Sequence, residues 1–156
     1  ALIGVPRAAA PNPCENALLC SQCDAQLLLE VGFTGAVNLR QLCFQSPADG
    51  RAPGSIRLFA NAPHLDFDSA ESRQASQEVD LKPLWRRSGG EAKVTPDACR
   101  DDWTCEVKLS ITRFQRVDTL TVFVADNVDD QESTAIRLIS VIGSRVHKVT
   151  VVPGVL

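Results

Sequence analysis

The sequence predicts an all-β protein, a β-sandwich or jelly roll, on three observations. Roughly seven or eight short segments alternate apolar and polar residues at the period of a strand. Gly, Pro, Asn and Asp punctuate the gaps between them. No segment carries the apolar stripe of a helix of normal length, so nothing is available to cover a parallel sheet.

The chain has 156 residues, enough for one domain with its own core. Hydrophobic residues make up 44% and charged residues 22%, as in an ordinary globular protein. A net charge of −3 argues against nucleic acid or an anionic membrane as partner. Apolar runs such as Leu27-Leu28-Leu29 fall far short of the roughly 18 residues that span a bilayer. The first thirteen residues read as an arm (1–13), with no basic segment ahead of an apolar block, so no secretory signal is expected. With no Met anywhere, the chain reads as part of something longer. The domain proper is expected over 14–156.

Taken in order, Gln26 to Phe33 is the first clear strand, with Leu27, Leu29, Val31 and Phe33 on one face. Thr34-Gly35-Ala36 is expected to turn the chain as a tight hairpin, Gly35 supplying a positive φ. Val37 to Gln45 follows. Val37 and Leu39 share one parity but Leu42 and Phe44 the other, which predicts a bulge near Arg40 and Gln41. Ser46 to Gly54 is a loop, and Ile56 to Ala60 a strand. Asn61 to Gln77 has little β character; Asp68 or Ser69 is the expected cap of a short helical turn through Ala70 to Arg73. Val79 to Leu81 is a brief strand, and Lys82 to Thr104 a long irregular excursion.

The best organised stretch comes next. Val107 to Ile111 alternates cleanly. Thr119 to Ala125 places Leu120, Val122 and Val124 on one side and Thr121, Phe123 and Ala125 on the other, the pattern of a central strand covered on both faces. Asp126 to Thr134 is a surface loop, Ile136 to Ile142 a strand, and Val146 to Val152 a last one.

Several of these stretches together resemble the PITH domain family. They are Ser21-Gln22-Cys23-Asp24-Ala25-Gln26-Leu27-Leu28, then Phe33, Val37, Leu39 and Phe44-Gln45. Phe59-Ala60-Asn61-Ala62-Pro63 with Asp66-Phe67 and Ala70-Glu71 follows. Ile111 to Val117, Leu120 to Val124, Asn127, Glu132, Thr134 and Ile142-Gly143 complete the match. The resemblance implies a galactose-binding-domain-like jelly-roll sandwich. The family occurs as the C-terminal domain of thioredoxin-like proteins and as small stand-alone proteins, and the resemblance implies docking to the regulatory particle of the proteasome, at least for the thioredoxin-linked members. The expected location is the cytoplasm, with the nucleus as a further one. Two departures stand out: Asp129 and Ala135 occupy positions where the family usually has Gly and Arg, so any ligand-binding role of that Arg is either lost here or moved, with Arg137 as the candidate to take it. The excursion over about 82–104 is also longer than the family's connection.

The six cysteines, at 14, 20, 23, 43, 99 and 105, are expected as free thiols, in keeping with a reducing compartment. Cys20-Ser21-Gln22-Cys23 has the spacing of a redox motif but is flanked by a Pro-rich arm and a strand rather than by a strand and a helix N-terminus, so packing thiols are the expected account. Cys14, Cys20 and Cys23 lack an evident fourth zinc ligand, His64 or Cys43 being the nearest candidates. The acidic loop Asp126 to Glu132 lacks the order of a calcium loop. His64 and His147 stand alone, and Gly89-Gly90 does not make a phosphate cradle.

The sequence therefore predicts a module that is not an enzyme, needs no cofactor or metal, and binds protein as a monomer. Candidate partner- or ligand-binding residues are Asn61, Asp66, Phe67, Trp85, Arg86, Asn127, Thr134 and Arg137. The alternatives are a small-molecule or glycan-binding sandwich, and a thiol oxidoreductase acting through Cys20 and Cys23.

Overall fold

A computed structural model describes residues 2–4, 18–87 and 102–146. The elements are β1 (Leu2–Gly4), β2 (Leu19–Cys20), β3 (Leu27–Pro47), β4 (Ser55–Ala60), α1 (Phe67–Ser72), β5 (Gln77–Asp80), a 3-10 turn (Lys82–Leu84), β6 (Arg86–Arg87), β7 (Asp102–Lys108), β8 (Val117–Val124), β9 (Ala135–Ile136) and β10 (Leu138–Arg145). All the pairings are antiparallel. The result is a curled sheet whose two layers share β3.

The 21 residues of β3 organise everything else. Its first limb pairs with β8, from Leu27 opposite Val124 to Gly32 opposite Thr119. Its second limb lies between β10 and β7. One layer therefore runs β5, β4, β8 and the first limb, and the other β1, β10, the second limb, β7 and β6. Inward residues of both limbs, Leu27, Val37, Leu39, Leu42 and Phe44, join Ile56, Leu58, Val107, Leu120, Val122, Val124, Ile139 and Val141 in one core. The expected sandwich is thus present, closed by a bent strand.

The expected hairpin at Thr34-Gly35-Ala36 is corrected: the strand continues unbroken through a bend, and Gly35 has no positive φ. The physical reason lies in the parity. Leu27, Leu29, Val31, Phe33, Val37 and Leu39 all occupy odd positions, so one face stays apolar through the corner. A tight hairpin would have set the two limbs side by side, whereas the corner sends each into its own layer. Between Gly32 and Val37 the pairing with β8 slips, and this irregularity makes the bend. The bulge predicted at Arg40 is found: Ile142 faces Gln41 but Gly143 faces Leu39, leaving Arg40 as the extra residue.

The back of β8 is covered, as its two apolar faces required. The loop and helix after β4 lay Ala62 and Ala70 over Phe59 and Phe123, with Leu28, Leu65 and Ala125 at the margin. The helix is α1, and its cap is Asp66 rather than Asp68 or Ser69: the Asp66 carboxylate accepts from the Ser69 N–H at 2.7 Å. Start and cap therefore move back together by a few residues.

Three further boundaries differ from expectation. The strand expected at Val107 begins at Asp102 and pairs with β6, Arg86 opposite Thr104, so both described ends of the excursion are strands of the second layer. It stops at Lys108 because the chain then crosses to the other layer; the alternation of Leu109 and Ile111 runs past it, leaving Ile111 71% exposed. The strand expected over Ile136 to Ile142 breaks at Arg137, so β9 pairs with β2 while β10 joins β3. Val146 donates its N–H to the Ala36 carbonyl; the rest of the expected last strand lies outside the described residues, as do Cys14, Cys99, His147 and most of the arm. The arm's described piece, β1, pairs with β10.

Candidate functional site

The loops before β3, after β3 and after β8 meet at one end of the sandwich, and buried polar side chains tie them together. The buried Asn127 carboxamide donates to the carbonyls of Gln131 (2.9 Å) and Ser133 (3.1 Å), and its oxygen accepts from the Gln131 N–H at 2.7 Å. The Thr134 hydroxyl donates to the Ala25 carbonyl at 2.6 Å, and the Thr134 N–H donates to the Ser21 hydroxyl at 2.8 Å. Ser21 closes its own bend by donating to the Asp24 carbonyl. Each bond removes a buried group that would otherwise cost about 1–3 kcal/mol unsatisfied. Asn127 and Thr134 thus shape the end of the sandwich from within: the Asn127 side chain folds its own loop, and Thr134 ties that loop to the turn before β3.

The acidic loop joins the same frame. The Asp126 carboxylate accepts from the Ser55 N–H at 2.7 Å. Gly50, at φ 88°, lies so close to Asp129 that a Cβ would stand 2.5 Å from its carboxylate oxygen. Only glycine fits that position, on both counts. Among the described residues no three His, Cys, Asp or Glu side chains gather as a metal set.

On the outside of this frame is a cavity of about 410 Å³. It is lined by the Cys20 to Asp24 turn, by Gln26, by Leu27 and Leu28 at the start of β3, and by Phe67. Phe67 stands 46% exposed, its ring edge-on to Phe123 at 6.3 Å. Cys20 and Cys23 are both free and exposed. Cys20 lies on β2 and Cys23 in a bend leading into β3, so neither has a helix N-terminus behind it. Beside Cys20, the Arg51 guanidinium is paired with Asp49 at 2.7 Å. That pair raises the Arg51 pKa, with a smaller contribution from Cys20, and holds the Asp49 carboxyl below its usual range.

The remaining candidates are spread over the molecule. Asn61 sits at the opposite end, at φ 56°: its amide donates to the Arg116 carbonyl at 3.1 Å, and its oxygen accepts from the Asp118 N–H at 2.7 Å. Asp66 caps α1, and the Ser69 contacts hold its carboxyl below the usual range. Trp85 is half-buried against the core; its indole N–H donates to the Pro53 carbonyl at 2.8 Å and its ring tilts onto Phe44. Arg86 is exposed on β6. Arg137 forms an ion pair with buried Asp102 at 2.6 Å, and Asp102 also accepts from Gln45 at 2.8 Å. The cavity described here brings Phe67 together with the two cysteines. Ser21 and Asp102, which hold the loops and Arg137, carry no local signal in the sequence; their partners are distant along the chain.

A family model for the PITH domain matches residues 6–154, nearly the whole chain. The chain belongs to the PITH domain family. The two-layered antiparallel architecture is the galactose-binding-like sandwich of PITH. The chain is similar to Thioredoxin-like protein 1 of Schizosaccharomyces pombe, 28% identical over 139 residues, covering 86% of this chain and 42% of that protein. It is similar to PITH domain-containing protein 1 of Danio rerio, 30% identical over 140 residues, 87% of this chain and 58% of that protein. A shorter match, 44% identical over 62 residues, joins it to PITH domain-containing protein ZK353.9 of Caenorhabditis elegans, 40% of this chain and 29% of that protein. The chain thus spans less than two thirds of these relatives' length. No helix among the described residues is long and apolar enough to cross a membrane.

Proposed function

We propose that this PITH chain is a non-catalytic docking module that binds the regulatory particle of the proteasome, in the cytoplasm and nucleus, either alone or attached to a thioredoxin-like domain. The observation that carries the reading is the family match over residues 6–154, together with a relative named for thioredoxin likeness. The geometry is in keeping with it: among the described residues, Asn127, Thr134, Asp66 and Arg137 are engaged in holding loops and helix, which leaves exposed surface to meet a partner. The test is a pull-down from lysate with the tagged chain, read by mass spectrometry. Regulatory-particle subunits are expected; their repeated absence removes the reading. No insulin reduction is expected, and turnover lost in Cys20→Ser would replace docking with redox chemistry.

The cavity beside Phe67 favours a second reading, a small-molecule or glycan site with Phe67 as its aromatic wall. Ligands that bind only the folded chain raise its melting temperature. A screen of sugars at millimolar concentration that leaves the temperature unmoved ends this reading.

A further inference from the structure

At the end of the sandwich away from the cavity, the crossing from β7 to β8 builds a basic corner around one bare aliphatic side chain. Leu109 donates its N–H to the Arg40 carbonyl at the bulge, Leu39 donates to the Phe114 carbonyl, and the Arg116 N–H donates to the Asn38 side chain at 3.0 Å. Phe114, fully buried, plugs the core, so the segment before it is pressed outward as a turn, with the N–H groups of Arg113 and Phe114 both donating to the Ser110 carbonyl. Ile111 rides on that turn with 71% of its surface in water, the most exposed of the large hydrophobic residues described.

Arg40, Lys108, Arg113, Arg116 and Arg145 are all exposed around it. The bonds above fix Arg40 and Arg116 at the same corner, and Arg145 is brought there by its pairing with Val37. Arg113 leans on the Ser76 carbonyl at 2.9 Å, and Gln77 holds the backbone of Lys108 and Ser110. None of the five cations forms an ion pair among the described residues. The acidic residues close along the chain are Glu106, two before Lys108, Asp118, two after Arg116, and Glu78, next to the Gln77 that holds Lys108 and Ser110. The corner thus concentrates positive charge on a chain whose net charge is −3. A bare aliphatic group ringed by charge is the anatomy of an interface anchor: the apolar group supplies burial, and the ring steers the partner and sets its sign.

We propose that this corner docks an acidic segment of a partner protein, with Ile111 inserted into an apolar position of that segment. The inference rests on the docking reading and names the surface and the partner's chemistry. Nucleic acid fits less well, because Ile111 would lie exposed against phosphates.

The probe is a phage-displayed library of random short peptides selected on the whole chain, followed by binding of the recovered peptides to wild type, Arg40→Glu/Arg116→Glu and Ile111→Ser. All three residues are exposed, so each variant is expected to keep the wild-type melting temperature, which is measured first. Should the double charge variant unfold, Arg40→Gln/Arg116→Gln takes its place. The expected result is peptides rich in Asp and Glu around one apolar residue, losing at least about tenfold in affinity in both variants and weakening with salt. No acidic enrichment, or binding indifferent to the variants, overturns the proposal. A DNA duplex bound through Arg40 and Arg116 but without dependence on Ile111 overturns it as well. Capture of the regulatory particle by wild type and by both variants alike sinks the corner while sparing the proposed function; acidic peptides bound at the corner without any regulatory particle captured do the reverse.

Discussion

Removing Asp102 tests whether Arg137 is held by the fold. The carboxylate is 2% exposed and receives the Arg137 guanidinium at 2.6 Å and the Gln45 amide at 2.8 Å. Asp102→Ala takes its buried carboxylate partner from a guanidinium whose side chain keeps 13% of its surface. Breaking a buried pair costs about 3–5 kcal/mol; the residual water contact places the loss near 3 kcal/mol, and the orphaned Gln45 donor adds about 1 kcal/mol. Against a total stability of about 5–15 kcal/mol, that is a large fraction. Arg137→Met on its own takes the cation from a buried carboxylate and costs a similar amount. The double variant Asp102→Leu/Arg137→Met removes both charges and is expected to return to within about 1 kcal/mol of wild type. Urea unfolding of all four proteins closes the cycle. A coupling below about 0.5 kcal/mol, the scale of a surface pair, would refute the reasoning.

Three further outcomes follow from single positions. Phe114→Ala should cost about 3–5 kcal/mol, because a fully buried ring is lost where the crossing segment seals the core; calorimetry showing an unchanged melting temperature would count against the plug. Asn61→Ala should lose about 2 kcal/mol from its bonds and its positive φ, and Asn61→Gly about 1 kcal/mol less; equal losses in urea would mean that the backbone conformation is not the cause. Burial pushes the Cys105 thiol up from 9.0 to about 12. The unfolded chain therefore ionises first, so this stabilising contribution is whole below pH 9.0 and declines as pH rises towards about 12. Cys105→Ala should flatten that decline. In native protein at neutral pH, maleimide mapped by peptide mass should label Cys20 and Cys23 and spare Cys105; a labelled Cys105 would contradict its burial.

What the sequence discloses here is whatever is written in short-range rhythm. The bulge at Arg40 shows as a parity change between Leu39 and Leu42, and the covered back of β8 shows in Phe123 and Ala125. The same rhythm held the answer at Gly35, since the odd positions stay apolar across it, but a glycine between two strands reads as a turn when the parity is not followed through. Helix α1 is legible in the sequence to within a few residues but its cap is not, because Asp66 is as good a cap by residue type as Asp68 or Ser69 and only the fold chooses among them. The loop frame was illegible for a different reason. Ser21 and Thr134 meet across 113 positions, and Gln45 and Asp102 across 57, so no local pattern announces either contact. Of the candidate residues, the cavity gathers Phe67 with Cys20 and Cys23, whereas Asn61 and Trp85 serve distant parts of the fold.

Because a single ribbon, β3, belongs to both layers, neither layer owns a complete set of strands. Cutting the chain near Thr34 would not release two smaller folded halves; each fragment would display an unpaired row of amides and an uncovered greasy face. Melting should accordingly be one all-or-none event, with exchange of the deepest amides on the two limbs tracking a common opening. A tug on a partner held at either end of the sandwich would be carried along this one backbone, so the loops at the two ends share a rigid spine.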